Sequence, residues 1–137
     1  MVVEPLTKSP RSRPDGRRIL VVDDHVDAAE TLAELLELLG HETRVAFDAR
    51  SALEIVRTFH PDVALLDIGL PVMDGCELAR RLRQLPALEK TRLIALTGYG
   101  RPSDRAVSAA AGFDAHLLKP IEISQLEALI AGGDGSP

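Results

Sequence analysis

A single cysteine, Cys76, stands in the 137 residues, so no intrachain disulfide can form, and no Cys/His spacing resembles a zinc site. A reducing cytoplasm fits that usage. Aromatic residues are scarce, with no Trp, one Tyr and three Phe. A core must then be built from Leu, Val, Ile and Ala, as suits a sheet covered by helices. Basic charge is in deficit, 16 Lys and Arg against 21 Asp and Glu, for a net charge of -5. That balance argues against direct nucleic-acid binding, which leaves a clustered basic stripe. Long apolar runs are missing too. The longest are strand-like pieces such as Ile19 to Val22, far below the roughly 18 residues that span a bilayer. The amino terminus has no apolar signal core. The expectation is a soluble chain with no membrane segment of its own.

What is present suffices for one domain, with 45% hydrophobic residues. Residues 1–17 set Pro5, Pro10, Pro14 and Gly16 among Lys8, Arg11, Arg13 and Arg17, without an apolar period, and read as a linker or tail. Residues 132–137, Gly-Gly-Asp-Gly-Ser-Pro, end structure at the other side. The folded part spans 18–131.

Within it, β-branched or Leu-rich runs alternate with segments of helical period. Strands are predicted at 18–22, 42–46, 63–66, 93–96 and 115–118. The first helix puts Ala29, Leu32, Ala33, Leu36 and Leu39 on one face and closes at Gly40. The second is capped by Asp48, buries Ala52, Leu53, Val56 and Phe59, and stops before Pro61. The third carries Leu78, Ala79, Leu82 and Leu85 and ends at Pro86. The fourth, 102–111, has few large apolar residues and is expected to be the loosest. The fifth opens on Ser124 and Glu127, a capping-box spacing, and buries Leu126, Leu129 and Ile130. Alternation of this kind gives a doubly wound α/β fold, because parallel neighbours need crossover helices. A five-stranded sheet of flavodoxin-like order 2-1-3-4-5 is expected, although periodicity alone does not fix the order.

Ligands in such sheets sit beyond the carboxyl ends of the strands. There strand one delivers Asp23 and Asp24, strand three Asp67, strand four Thr97, and strand five Lys119 followed by Pro120. Each alone reads as a turn, cap or surface residue; converging on one end of the sheet, they make a site. Three carboxylates in one cleft repel by about 1 kcal/mol per pair at 4 Å in water, and by more at lower dielectric. A cation belongs among them, and hard oxygen ligands with room for water suit Mg2+ better than calcium. A carboxylate flanked by a metal and a Lys can attack phosphorus and form an aspartyl-phosphate.

These residues resemble the receiver-domain family of two-component signalling, over almost all of 18–131. The matching stretches are Ile-Leu-Val-Val-Asp-Asp at 19–24, Leu-Leu-Asp-Ile-Gly-Leu-Pro-Val-Met-Asp-Gly at 65–75, Ala-Leu-Thr-Gly at 95–98 and Leu-Leu-Lys-Pro at 117–120. The resemblance implies Asp67 as phosphoacceptor, Asp23, Asp24, Asp67 and the Gly69 carbonyl as magnesium ligands, and Thr97 and Lys119 as phosphate contacts. It implies that Thr97 also acts in the switch, that Pro71 and Gly75 shape the loop after Asp67, and that the Lys119–Pro120 bond is cis. Tyr99 and Gly69 stand where the family tunes phosphoryl lifetime. His116 occupies the switch position that is commonly Tyr or Phe, which opens a route to pH sensitivity. His25 follows the acid pair at the edge of the site, His41 and His60 read as solvated surface, and Cys76 as a small buried residue.

The implied function is phosphotransfer from a histidine kinase or histidine phosphotransfer domain to Asp67. The face of the fourth predicted helix, fifth strand and fifth predicted helix would switch and meet a downstream protein, as a monomer or weak phosphorylation-dependent dimer. The parent context resembles a hybrid sensor histidine kinase, with a stand-alone regulator as the alternative. An aspartyl-nucleophile phosphatase of the haloacid-dehalogenase kind fits less well, since those carry Asp-x-Asp after the first strand whereas Asp67 is followed by Ile-Gly. A receiver-like module that never becomes phosphorylated is a third reading, against which the intact set of site residues argues.

Overall fold

The computed structural model describes residues 16–70, 75–98 and 111–131. Five parallel strands, β1 (Arg18–Val22), β2 (Glu42–Ala46), β3 (Val63–Asp67), β4 (Arg92–Thr97) and β5 (Ala115–Leu118), form one sheet in the order β2-β1-β3-β4-β5. The helices are α1 (Val26–Leu38), α2 (Ala49–Ile55), α3 (Gly75–Arg83) and α4 (Ile123–Ile130), with a short 3-10 turn at Pro86–Leu88. α4 is the fifth helix expected from the sequence. The fourth, at 102–111, lies outside the described residues except for Ala111. The architecture is the doubly wound α/β fold expected, flavodoxin-like in strand order.

Side chains along each strand alternate between the two faces, and this builds two cores. Leu20, Val22, Ala64, Leu66, Leu93 and Ala95 pack against Ala52 of α2 and Leu78, Ala79 and Leu82 of α3. Ile19, Val21, Val63, Leu65, Ile94 and Leu96 face Ala29 and Leu36 of α1 and Leu126, Leu129 and Ile130 of α4. With both faces covered, β1 and β3 read as continuous apolar runs. Burying one such Leu contributes about 2–3 kcal/mol, so the sheet centre dominates stability.

The helix ends show which local signals held. Gly40 closes α1 with φ 102°, a left-handed conformation that favours glycine. Asp48 caps α2, its carboxylate accepting from the Ser51 N–H at 2.7 Å. α2 nevertheless stops at Ile55, short of Pro61. The Arg57 and Thr58 N–H groups turn to the carbonyls of Glu54 and Ile55 in tight i→i−3 bonds. Phe59 is buried outside the helix, under the guanidinium groups of Arg18 and Arg44, 5.6 and 4.8 Å from its ring centre.

Three further expectations need correction. Leu85 is 37% exposed and extended, not part of a buried helical face, because Pro86 disfavours helical geometry in the residue before it. Ser124 is not the cap of the last helix: α4 starts at Ile123 with Glu122 as its N-cap, and the Glu122 carbonyl accepts the first helical bond from Leu126. His41 is not solvated surface but 3% exposed. Its Nδ1 accepts from the Arg17 N–H at 3.0 Å and its Nε2 lies 3.1 Å from Glu127 Oε1, so one ring links the approach to β1 with α4.

At the amino-terminal end of the sheet Arg83 acts as a clasp, donating to the carbonyls of Gly112 and Thr91 and to the Asp114 carboxylate. Asp114 in turn accepts from the Leu93 N–H at 2.8 Å, which fixes the start of β5 against β4.

Candidate functional site

Strand register brings the polar residues together. Val22 stands level with both Ala46 and Leu66, Asp67 with Leu96, and Thr97 with Leu118. Asp23, Asp67, Thr97 and Lys119 therefore emerge at the same carboxyl edge of the sheet. The backbone continues the ladder there, since Asp23 N–H donates to Ala46 O and Lys119 N–H to Thr97 O at 2.8 Å.

Asp67 is the last residue of β3 and its side chain is 11% exposed. One carboxylate oxygen, Oδ1, accepts from the Gly69 N–H at 2.8 Å; the other, Oδ2, faces the Lys119 ammonium at 3.3 Å. The same ammonium donates to Asp23 Oδ2 at 3.0 Å. Asp23 is buried, and its Oδ1 accepts from the backbone N–H of His25 at 2.9 Å. Burial pushes the Asp23 carboxyl up, yet the His25 N–H and the Lys119 ammonium outweigh it and hold the carboxyl below its ordinary value. Burial pulls the Lys119 ammonium down, and the carboxylates of Asp23 and Asp67 outweigh that and raise it.

The loop after β3 is shaped by a close approach at Gly75, the first residue of α3. A Cβ there would stand 2.5 Å from the Asp67 carbonyl oxygen and 2.7 Å from Ile68 Cα, so only glycine lets α3 start against the strand end. Gly69 lies in the turn just after β3, and Pro71 falls outside the described residues. Thr97 ends β4 at 3% exposure. His116 is half-buried in β5, level with Ala95. The Lys119–Pro120 peptide is cis. Tyr99 lies outside the described residues.

Asp23, Asp24, His25 and Asp67 each offer a ligand atom, all within 4.8 Å of one another. Three carboxylates and one ammonium carry a net charge of -2, which one divalent cation neutralises. The donors are hard carboxylate oxygens, and Asp24 is open to solvent, a combination that fits a hard divalent ion such as magnesium. The cluster contained one participant that sequence reading left at the edge. The ring Nδ1 of His25 approaches Asp23 Oδ1 at 3.2 Å and Asp24 Oδ1 at 3.5 Å. Its place directly after the acid pair was the available signal. Beside Asp23 and Lys119 an open groove of about 540 Å³ runs between α1 and the segment after β5, walled by Leu32, Leu35, Ile121 and Ile123.

The response regulator receiver domain family model matches residues 19–131. Among curated proteins, the chain is 39% identical over 112 residues to an uncharacterized 14.6 kDa protein in the sodA1 3' region of Leptolyngbya boryana, covering 82% of this chain and 86% of that one. It is 35% identical over 118 residues to the gliding motility regulatory protein of Myxococcus xanthus, covering 86% of this chain and 15% of that one. The chain also spans less than half the length of the next several curated relatives. Among solved structures it is similar to the receiver domain of the sensor histidine kinase PA1611 from Pseudomonas aeruginosa, which has a magnesium ion coordinated in its active-site cleft. That likeness has a TM-score of 0.78 and 28% identity, and covers 88% of this chain and 99% of the other.

Proposed function

The chain belongs to the response regulator receiver domain family, and on that premise we propose that Asp67 is the phosphoacceptor of a two-component relay. The observation that carries this is the Lys119 ammonium set between the Asp23 and Asp67 carboxylates, 3.0 and 3.3 Å away, beside a cluster spaced for a divalent ion. Asp23, Asp24, Asp67 and the Gly69 carbonyl are the proposed ligands of a magnesium ion, which when bound offsets the charge of the phosphoryl group in transit.

The chain's own groups do the rest. The Gly69 N–H holds one Asp67 oxygen, which orients the carboxylate for in-line attack on phosphorus. As the new P–O bond forms, the P–N bond of a donor phosphohistidine breaks and the imidazole leaves with its electron pair. Lys119 meets a phosphoryl oxygen, and the Thr97 hydroxyl donates to another. The donor is a histidine kinase or histidine phosphotransfer domain, and the apolar groove beside Lys119 is the wall it meets first. Thr97 and His116 pass the change to the face of the fourth predicted helix, β5 and α4, where a downstream protein binds. The domain acts in the cytoplasm, with residues 1–17 as a linker or tail and 132–137 as a tail around the receiver at 18–131. Among the described residues, no helix is long and apolar enough to cross a membrane.

The parent context we favour is a hybrid sensor histidine kinase, supported by the likeness to the PA1611 receiver. A stand-alone regulator is the second reading, supported by the Leptolyngbya protein, whose length this chain nearly spans. Incubation with acetyl phosphate and Mg2+, followed by intact-mass and peptide mapping, tests the core of the proposal. One phosphoryl group on Asp67, lost in Asp67→Asn, is expected; undiminished labelling of the variant rejects the assignment.

A further inference from the structure

His25 has no part in the phosphoryl chemistry above, yet its ring rests on the acid cluster. Around an ion with bonds of about 2.1 Å, neighbouring octahedral ligands lie about 3.0 Å apart and opposite ones about 4.2 Å apart. Nδ1 of His25 stands 3.2 Å from Asp23 Oδ1 and 3.5 Å from Asp24 Oδ1, one such edge from each. The whole set, Asp67 included, lies within 4.8 Å, about half an ångström wider than opposite ligands stand, a gap that side-chain rotation closes. Magnesium gains little from an imidazole, whereas nickel, cobalt and manganese accept nitrogen readily.

We infer that His25 is a nitrogen ligand that widens this metal site from magnesium to borderline divalent ions such as Ni2+ and Co2+. The inference rests on the metal-site reading given above. Two features separate the ring from the scaffold. Asp23 is oriented by the backbone N–H of His25, which any substitution except proline at that position retains. The side chain is 73% exposed, so the ring can turn onto an ion without repacking the core. Lys119 occupies the opposite oxygen of Asp23, Oδ2, and leaves the Oδ1 side to His25.

The test compares the full chain and His25→Ala by calorimetric titration with Ni2+ and with Mg2+, together with pulsed EPR of the Mn2+-loaded proteins. A fall of about tenfold or more in the ratio of Ni2+ to Mg2+ affinity is expected, with a histidine nitrogen coupling to Mn2+ present in the wild type and lost in the variant. A ratio unchanged within about twofold, or a wild-type spectrum without nitrogen coupling, overturns the inference and leaves the ring as an ion-pair partner of the carboxylates. If Ni2+ binding depends on His25 but Asp67 is never labelled, the phosphoacceptor reading fails while this one stands. Labelling of Asp67 with Ni2+ affinity indifferent to His25 sinks this one alone.

Discussion

The ammonium of Lys119 and the carboxylate of Asp67, 52 residues apart in the chain, meet at 3.3 Å across the carboxyl edge of the sheet. Neither residue is drawn there by its neighbours in sequence. Each is delivered by a strand whose apolar run ends just before or at it, and the parallel register does the rest.

Lys119→Met should slow labelling by acetyl phosphate by about 10²-fold, the usual loss when one charge-stabilising donor is removed; labelling at the wild-type rate would exclude the phosphate-contact role. The stability effect has a defined pH window. Lys119 is raised, so its contribution is complete below its ordinary value and is lost only as pH climbs through the raised one. Asp23 is lowered from 3.8, so its contribution is present above that value and fades as pH falls through the folded one. The stability gap between wild type and variant should therefore stay level from about pH 5 to 9 and close in acid, as urea titrations across pH would register.

Gly75→Ala should force α3 away from the Asp67 carbonyl, because the added Cβ would meet that oxygen at 2.5 Å. A cost of about 1–3 kcal/mol in urea unfolding is expected, with slower labelling as the strand end shifts. A variant that unfolds and labels like the wild type would mean that the loop after β3 yields freely.

His41→Ala should destabilise the domain by about 2–4 kcal/mol, since it opens a cavity and removes partners from the Arg17 N–H and Glu127. His41→Phe, which restores bulk but not the bonds, should fall between the two. Equal stability of all three would show that the ring bonds contribute nothing.

Asp48→Ala should lower the thermal midpoint at neutral pH by removing the cap on Ser51 N–H. That N–H holds the Asp48 carboxyl below its ordinary 3.8, so the capping contribution is present above that value and lost as pH falls through the folded one. Melting curves of the two proteins should converge in strong acid; a gap that persists there would point to a cause other than the charge.

Sequence carried most of this fold because the three central strands, β1, β3 and β4, are buried on both faces and announce themselves as apolar runs. Their ends were harder to place. Asp67 and Thr97 close β3 and β4, yet a polar residue after an apolar run reads as the start of a loop. Ser124 and Glu127 have the spacing of a capping box, but the packing of Ile123 and Leu126 against the core shared with α1 sets the start of α4. His41 was misjudged because its burial depends on Arg17 and Glu127, 24 and 86 residues away, which no local pattern encodes. The site was legible where it hangs from strand ends. The place of His25 at its edge was legible as well, whereas the ring's approach to Asp23 and Asp24 depends on side-chain rotation.

Arg17, Arg18 and Ile130 line one shallow hollow at the amino-terminal end of the sheet, while the acid cluster occupies the far end. Incoming and outgoing chain thus share a single pole. A receiver wired this way carries both ends of its described fold on the pole opposite its acid cluster, so the strand ends that deliver Asp23, Asp67 and Lys119 all point away from them.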